Sequence, residues 1–489
     1  MDSSQPKLKK SPQISYLDET KKESPYLPLT SLDLLKQCSY NVKRLSEGTL
    51  NMLCSNTPSN SSSNQALSTD SIMKLAKERL LQIKSPKTDG LSNEVSGFGA
   101  QSDLPAEISE DLDLALLLQA AAEKVSNQQW IHAQKLLRMC ARSASRNGNP
   151  VQRVVFYFAE ALQERIDREC GKFSLEELEK ETRKPIDVQQ AEIHLQPVMM
   201  ACQQELPFKL VVQFTAMQHI LDAVASSKRV HLIDFGIENG SHWTILMQHF
   251  AIRCDSPLEL LKLTAVGSSK EMLEVTGKRL SSFAKSINLP FSFNIVVSDL
   301  DELKEDLFEL EADEVVAMYL PFRLWTKLAW PDHLEAVLGV IKNLKPSVLV
   351  VKEMEANTNT PIFMDRFNEA LILFSTIFDC NKACMDHQIL YRKMTEEVIF
   401  REMIRNVVIT EGSERIHRHE RIGFWRTLLG RFGMVETDLS DKSICEATVL
   451  LRRSARFRSC TLNMDGKCLI LGWKETPLIS LSAWKFSSD

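Results

Sequence analysis

The feature that most constrains this chain is a short apolar run closed by an acid and a glycine, Arg229-Val230-His231-Leu232-Ile233-Asp234-Phe235-Gly236. Helical spacing of Trp243, Leu246, Met247 and Phe250 follows directly behind it. An apolar run without alternation suits a strand covered on both faces. Similar runs return at residues 261–266, 293–297, 314–319 and 347–351, with helical stretches between them, notably 270–287 and 332–344. Strand and helix in alternation imply right-handed βαβ units and a parallel sheet. The spacing therefore predicts a doubly wound α/β core over residues 229–489. A helix is expected at 362–378 and a strand at 446–451. A hairpin of 459–463 and 467–473, turning at Met464-Asp465-Gly466, gives the sheet an antiparallel edge.

Upstream, the period changes to that of helices. Leu114, Leu117, Leu118, Ala121 and Val125 share one face, and a second helix is expected over 129–144. The cluster Asn147-Gly148-Asn149-Pro150 stops it, and Val151, Val154, Val155, Phe158 and Leu162 begin a third. Two more fit residues 189–205 and 207–226, so residues 106–228 read as a helical cap of about five helices. Residues 1–105 are Ser-rich, with the low-complexity tract 55–64, and are expected to be disordered. Two pieces of that region, 32–45 and 71–83, carry enough apolar residues to fold on a partner. The second places Ile72, Leu75, Ala76, Leu80 and Ile83 on one helical face.

Charge and cysteine content narrow the function classes. A net charge of −5 argues against a chain that binds polyanions with its whole surface. Eleven scattered cysteines, an odd number, read as free thiols in a reducing compartment. With no apolar leader and no run of about 18 apolar residues, the chain is expected to be soluble and intracellular, with no membrane partner. Lys7-Leu8-Lys9-Lys10 is a candidate nuclear-import segment.

The turn after the first strand is the best ligand candidate, because doubly wound folds bind ligands beyond the strand C-termini. Asp234, Gly236 and Gly240 resemble the first motif of S-adenosylmethionine-dependent methyltransferases, and Asp299 after the third strand is a further candidate to face the crevice, weighed against a loop cap. Glu238, however, replaces the motif's middle glycine, and the second strand ends in Ala265-Val266-Gly267 without a ribose-binding carboxylate. No resident cofactor is expected. Cys380, Cys384 and His387 offer three ligands where a closed zinc site needs four, so no metal is expected either. His417 and His419, among Arg415, Arg418, Glu420 and Arg421, read as a solvated charged face. Arg452, Arg453, Arg456 and Arg458 are the densest basic run and a candidate nucleic-acid contact, weighed against an exposed loop between the last strands. No nucleophile elbow or phosphate loop is present, so hydrolases and nucleotide-hydrolysing enzymes are unsupported.

Several blocks resemble those of the plant GRAS (scarecrow-like) family, in the family's order. Val230-His231-Leu232-Ile233-Asp234 resembles its VHIID signature, followed by Gly240 and Trp243. Residues 116–137 and 260–293 resemble its two leucine-rich regions. Pro361, Arg366 and Phe367, continued by Arg401 and Glu402, resemble its PFYRE block. Trp473 with Ser482-Ala483-Trp484 resembles its SAW block. The chain departs from the usual pattern at Gly236, where many members carry Asp, and at Thr244, where many carry Pro. The DELLA and TVHYNP segments of gibberellin-receptor-binding members are not found in residues 1–105. The resemblance implies a helical cap on a Rossmann-like, methyltransferase-related core. It further implies a non-enzymatic nuclear regulator of transcription in plant development, hormone signalling or symbiosis. Its implied partners are DNA-binding transcription factors and other GRAS proteins, in homo- or heterodimers, with DNA reached indirectly.

Overall fold

The computed structural model describes residues 67–84, 105–171, 196–253 and 257–487. In chain order, helix α1 (Thr69–Lys84) precedes the cap helices α2 (Ala106–Ser126), α3 (Trp130–Ser143), α4 (Pro150–Glu169), α5 (Gln196–Glu205) and α6 (Pro207–Val224). The core then alternates through β1 (Arg229–Asp234), α7 (Trp243–Ala251), β2 (Leu260–Gly267), α8 (Lys270–Ser286), β3 (Phe291–Val297), β4 (Val315–Pro321), α9 (Pro331–Leu344) and β5 (Val348–Met354). Helices α10 (Phe363–Met385), α11 (Ile389–Met394), α12 (Arg401–Ile409) and α13 (Ile422–Arg431) follow. The chain ends through β6 (Met434–Thr437), α14 (Asp441–Arg453), β7 (Cys460–Asp465), β8 (Cys468–Trp473) and β9 (Thr476–Phe486). None of these helices is long and apolar enough to cross a membrane.

The strands lie in the order β3-β2-β1-β4-β5-β9-β8-β7, with β6 also beside β9. The first five are parallel in the Rossmann order, and the last strands are antiparallel. Both faces of the sheet are buried, which explains the unbroken apolar runs. Val230 and Leu232 point into one core with Leu263, Ala317 and Val350. Ile233 points into the other with Met318, Leu349 and Val351, beneath α9 and α13.

Local chemistry starts the cap helices. Asn149 caps α4 by accepting from the Gln152 amide at 2.9 Å, while the Gln152 side chain accepts from the Asn149 amide. The face named from the spacing, including Val151, Val154, Val155, Phe158 and Leu162, is buried. The helix packs against α2 and α3 and, to a similar extent, against α10 and α12, which lie far along the chain. The cap therefore draws on residues 363–409 as well as on 106–228. Where these stretches meet, a π-helical turn, Thr395–Phe400, aims Glu396 inward. Its carboxylate lies 3.0 Å from Arg153 and 3.3 Å from Arg392, all three side chains being buried.

Three expectations are corrected. Residues 446–451 are not a strand. They belong to α14, capped by Ser440, with Ala447 and Leu450 buried and Ile444 packed beside them, so packing outweighs the β-propensity of Thr448 and Val449. The segment 71–83 lies within α1, which docks on the chain itself and not on a separate partner. Ile72, Met73 and Ala76 are buried between α2 and α10, whereas Ile83 is 69% exposed. The other piece, 32–45, and the import candidate lie outside the described residues. Finally, β9 was not anticipated as a strand, yet it holds the position between β5 and β8.

Removing Glu396 would leave two buried guanidinium groups without their counter-charge. The Glu396→Ala chain is expected to lose about 3–5 kcal/mol of unfolding free energy in urea titration. A loss under about 1 kcal/mol, the range of exposed ion pairs, would show that this triad does not organise the cap.

Candidate functional site

The crevice beyond the parallel strands is built around Asp234. Its side chain is fully buried, so its carboxylate needs donors from the protein. One oxygen accepts from the Gly236 amide at 2.8 Å. The other accepts from Trp243 Nε1 at 2.7 Å and lies 2.9 Å from His242 Nε2, in the tautomer that donates. Tyr319 on β4 packs its ring against both, edge-on to Trp243. His231 faces outward from this cluster. Its Nε2 meets Thr264 Oγ1 at 2.7 Å and its Nδ1 lies 3.1 Å from Glu314. Burial, with Lys262 nearby, pushes the His231 ring down to about 3.

The glycines approach the protein's own side chains. A Cβ at Gly236 would lie 2.8 Å from Pro321 Cγ. Gly240 has φ +68°, and a Cβ there would lie 2.8 Å from Leu280. Between them Glu238 holds φ +47°, a conformation that favours glycine. Its carboxylate reaches the cap, pairing with Lys209 Nζ at 2.9 Å and accepting from the Gln203 amide. Gln203 in turn accepts from Asn239 at 2.8 Å. Burial raises the Glu238 carboxyl, but Lys209 and then Lys352 more than reverse this and hold it at about 2.

Lys352 and Glu353, at the end of β5, were not anticipated. Lys352 is buried with its ammonium 4.7 Å from the Phe322 ring centroid. Burial and then Lys209 lower it to about 7, against the pull of Glu238. Burial raises Glu353 to about 8, although one oxygen accepts from the Leu324 amide at 3.0 Å. Charged residues just after an apolar strand are the only sequence signal for this pair. Asp299 is exposed ahead of a 3-10 turn, and no hydrogen bond joins it to Asp234 or Glu238. The crevice is thus a junction at which charged side chains of core and cap meet, Glu238 with Lys209 and Gln203.

The remaining candidates separate. Cys380 and Cys384 are buried with their sulfurs 3.9 Å apart, while His387 turns to Glu205. Among the described residues no group of three or more His, Cys, Asp or Glu is arranged to hold a metal. His417 and His419 do not form a solvated face. His417 stacks on Trp325 with centroids 4.9 Å apart, and His419 and Arg415 are buried. Burial lowers His417 to about 4, and burial with His417 nearby lowers His419 to about 3. Three arginines then take the carbonyls and carboxylates around them, Arg415 at Thr358, Arg418 at Arg415 and Arg421 at Glu369.

The basic run is split. Arg452 and Arg453 end α14, while Arg456 lies within the 3-10 turn before β7 and Arg458 follows it. Arg452 and Arg458 are exposed, and Arg456 pairs with Glu205. The side chain of Arg453 lies outside the described residues. The block residues beyond the crevice make structural contacts. Buried Arg366 donates to the carbonyls of Pro361 at 2.9 Å and Val407 at 3.2 Å. Phe367 packs edge-on to Phe158. Arg401 forks onto Glu160 at 2.7 and 2.9 Å, and Glu402 pairs with Arg405. Trp473 donates to Asp379 at 3.3 Å and Trp484 to Ser482 at 2.8 Å, while Ala483 is buried.

Residues 114–485 match the GRAS domain family. The chain belongs to this family. Among its relatives, DELLA protein GAI1 of Vitis vinifera is 31% identical over 423 residues, which cover 84% of this chain and 69% of that protein. DELLA protein GAI of Arabidopsis thaliana is 32% identical over 379 residues, covering 76% and 68%. The crystal structure of SCL7 from Oryza sativa superposes with a TM-score of 0.66 at 26% identity, covering 76% of this chain and 99% of that one. The blocks singled out in the sequence, from Val230 to Trp484, fall inside the matched residues, whereas α1 lies outside them. This GRAS chain is a plant regulatory protein by its relatives.

Two outcomes test this geometry. Asp234→Ala strands two side-chain donors and one backbone donor, and is expected to cost on the order of 3 kcal/mol in urea titration. An unchanged midpoint would remove Asp234 from the junction. For the histidines, the unfolded chain titrates near 6.5 and so takes up protons first as pH falls. Stability should therefore fall from about pH 6.5 towards 4 for His417 and towards 3 for His419. His419→Gln is expected to flatten that slope by about 1.4 kcal/mol per pH unit, and an unaltered slope would show that His419 charges freely in the folded state.

Proposed function

We propose that this chain is a nuclear regulator of transcription that acts through protein contacts and not through turnover. Its partners are DNA-binding transcription factors and other GRAS proteins, in homo- or heterodimers, and DNA is reached through those partners. The observation that carries this reading is that the acids of the crevice are already paired within the chain. Where a doubly wound fold offers its ligand a glycine-lined turn, this chain places Glu238 and spends its carboxylate on Lys209 and Gln203 of the cap. Asp234 is spent on Gly236, His242 and Trp243. Glu238 is committed to the cap and Asp234 to fixing the turn that carries Glu238, which suits a scaffold. Family membership supports a regulatory role in plants.

The rival readings fail on separate measurements. In calorimetric titration of S-adenosylmethionine into the full chain, no saturable heat is expected. Saturable heat that Asp234→Ala abolishes would overturn the proposal in favour of methyl transfer. Anisotropy with duplex DNA is expected to show little salt dependence, because Arg456 already has a carboxylate partner. A steep salt slope reduced by Arg452→Ala and Arg458→Ala would instead establish direct phosphate contact. In plant cells a fluorescent fusion should accumulate in nuclei and, tethered to a heterologous DNA-binding domain, change reporter output. Exclusion from nuclei would sink the reading.

A further inference from the structure

Helix α1 is seated like a bound peptide. Its walls are α2, α10 and the start of β9; α10, β9 up to residue 485 and most of α2 lie within the family-matched residues 114–485, whereas α1 itself lies before them. Its seat is apolar in the middle, where Ile72, Met73 and Ala76 are buried. It is polar at the helix start. Asp70 Oδ2 accepts from Thr476 Oγ1 at 2.6 Å and from Lys74 at 3.0 Å. Thr69 Oγ1 donates to Asp379 at 3.4 Å, and Gln119 Nε2 donates to the Met73 carbonyl at 2.7 Å. Towards its C-terminus the helix is gripped less deeply, with Leu80 partly buried against the same core and Leu81 56% exposed.

We propose that this groove is a helix-docking site, filled in cis by α1 and open in exchange to an amphipathic helix of a partner protein. The partner's chemistry follows from the occupant. Its helix starts with a hydroxyl residue and then an acid, carries two adjacent large apolar residues, and places a small residue one turn later. The hydroxyl meets Asp379, the acid meets Thr476, and the apolar pair fills the space of Ile72 and Met73. Two fully buried large apolar side chains, one methyl and the partly buried Leu75 and Leu80 are set against the ordering of 16 residues, so α1 is held less firmly than the core around it. Occupancy in cis is sustained by tethering, which gives the helix an effective concentration on the order of millimolar. The inference does not depend on what the chain regulates, since it concerns a groove remote in sequence from the Asp234 junction.

The test uses the full chain with a protease site placed within residues 85–104 and a fluorescent peptide of residues 67–84. Before cleavage, the tethered helix should compete and keep peptide binding at least about tenfold weaker than after it. After cleavage and dilution, the peptide should bind saturably, while a peptide with Met73→Asp should not. Full-chain Met73→Asp, its own helix evicted by the buried charge, should bind the unmodified peptide without any cleavage. Should the cleaved chain lose its cooperative thermal transition, α1 is an inseparable part of the core and the proposal fails. It fails equally if the cleaved chain stays folded and neither it nor Met73→Asp takes up peptide. These outcomes are independent of the S-adenosylmethionine titration and the reporter assay, so failure of one reading is distinguishable from failure of the other.

Discussion

A carboxyl group cut off from water is stable only if its own chain supplies hydrogen-bond partners. Asp234, fully buried at the end of the central strand, receives them from Gly236, His242 and Trp243. Those contacts fix the path from β1 into α7. They also orient the turn that carries Glu238, and through Glu238 the turn reaches Lys209 and Gln203 on the cap. One dehydrated acid thus sets the angle at which a second acid, four residues on, clasps the other half of the molecule. Burial of the sheet on both faces makes this necessary, because no solvent is at hand to satisfy the strand end.

The cap is held by a different balance. Arg153, Glu396 and Arg392 form a buried set whose Coulomb attraction is offset by the cost of removing three charges from water, so its value lies in register more than in net stability. Beside it runs a half-exposed ladder between α4 and α12, with Arg401 on Glu160 and Arg405 on Glu164. Exposed pairs of this kind contribute roughly 1 kcal/mol or less. The apolar faces of α4 and α10 therefore carry the association. The buried set selects one alignment of α4 against the π-helical turn, and the outer ladder adds to it only slightly.

Much of this was legible from residues alone. Parallel strands buried on both faces leave unbroken apolar runs, so β1 to β5 could be placed within a few positions. The Asn149-Pro150 step announces a helix start because a capping side chain and a proline satisfy the same orphan amides. The readings that failed have a common cause. Thr448 and Val449 favour strands locally, but Ala447 and Leu450 find a helical seat against α6. Ser480 and Ser482 interrupt the apolar run of β9, and only its neighbours β5 and β8 make a strand of it. His417 and His419 sit among charges in sequence, and their burial depends on Trp325, far away along the chain.

The sequence by itself determined the layers, the order of strand and helix, and the family, since all three rest on periodicity and on ordered blocks within one stretch of chain. Only the tertiary structure decided what the crevice holds. Gln203, Lys209, Glu238 and Lys352 come from α5, α6, the turn after β1 and the end of β5, and no local pattern links them. The same holds for α1, whose seat joins Asp70 to Thr476 across the length of the chain. Hydrophobic burial is read from spacing along one element, whereas the pairing of buried charges depends on which elements the fold brings together.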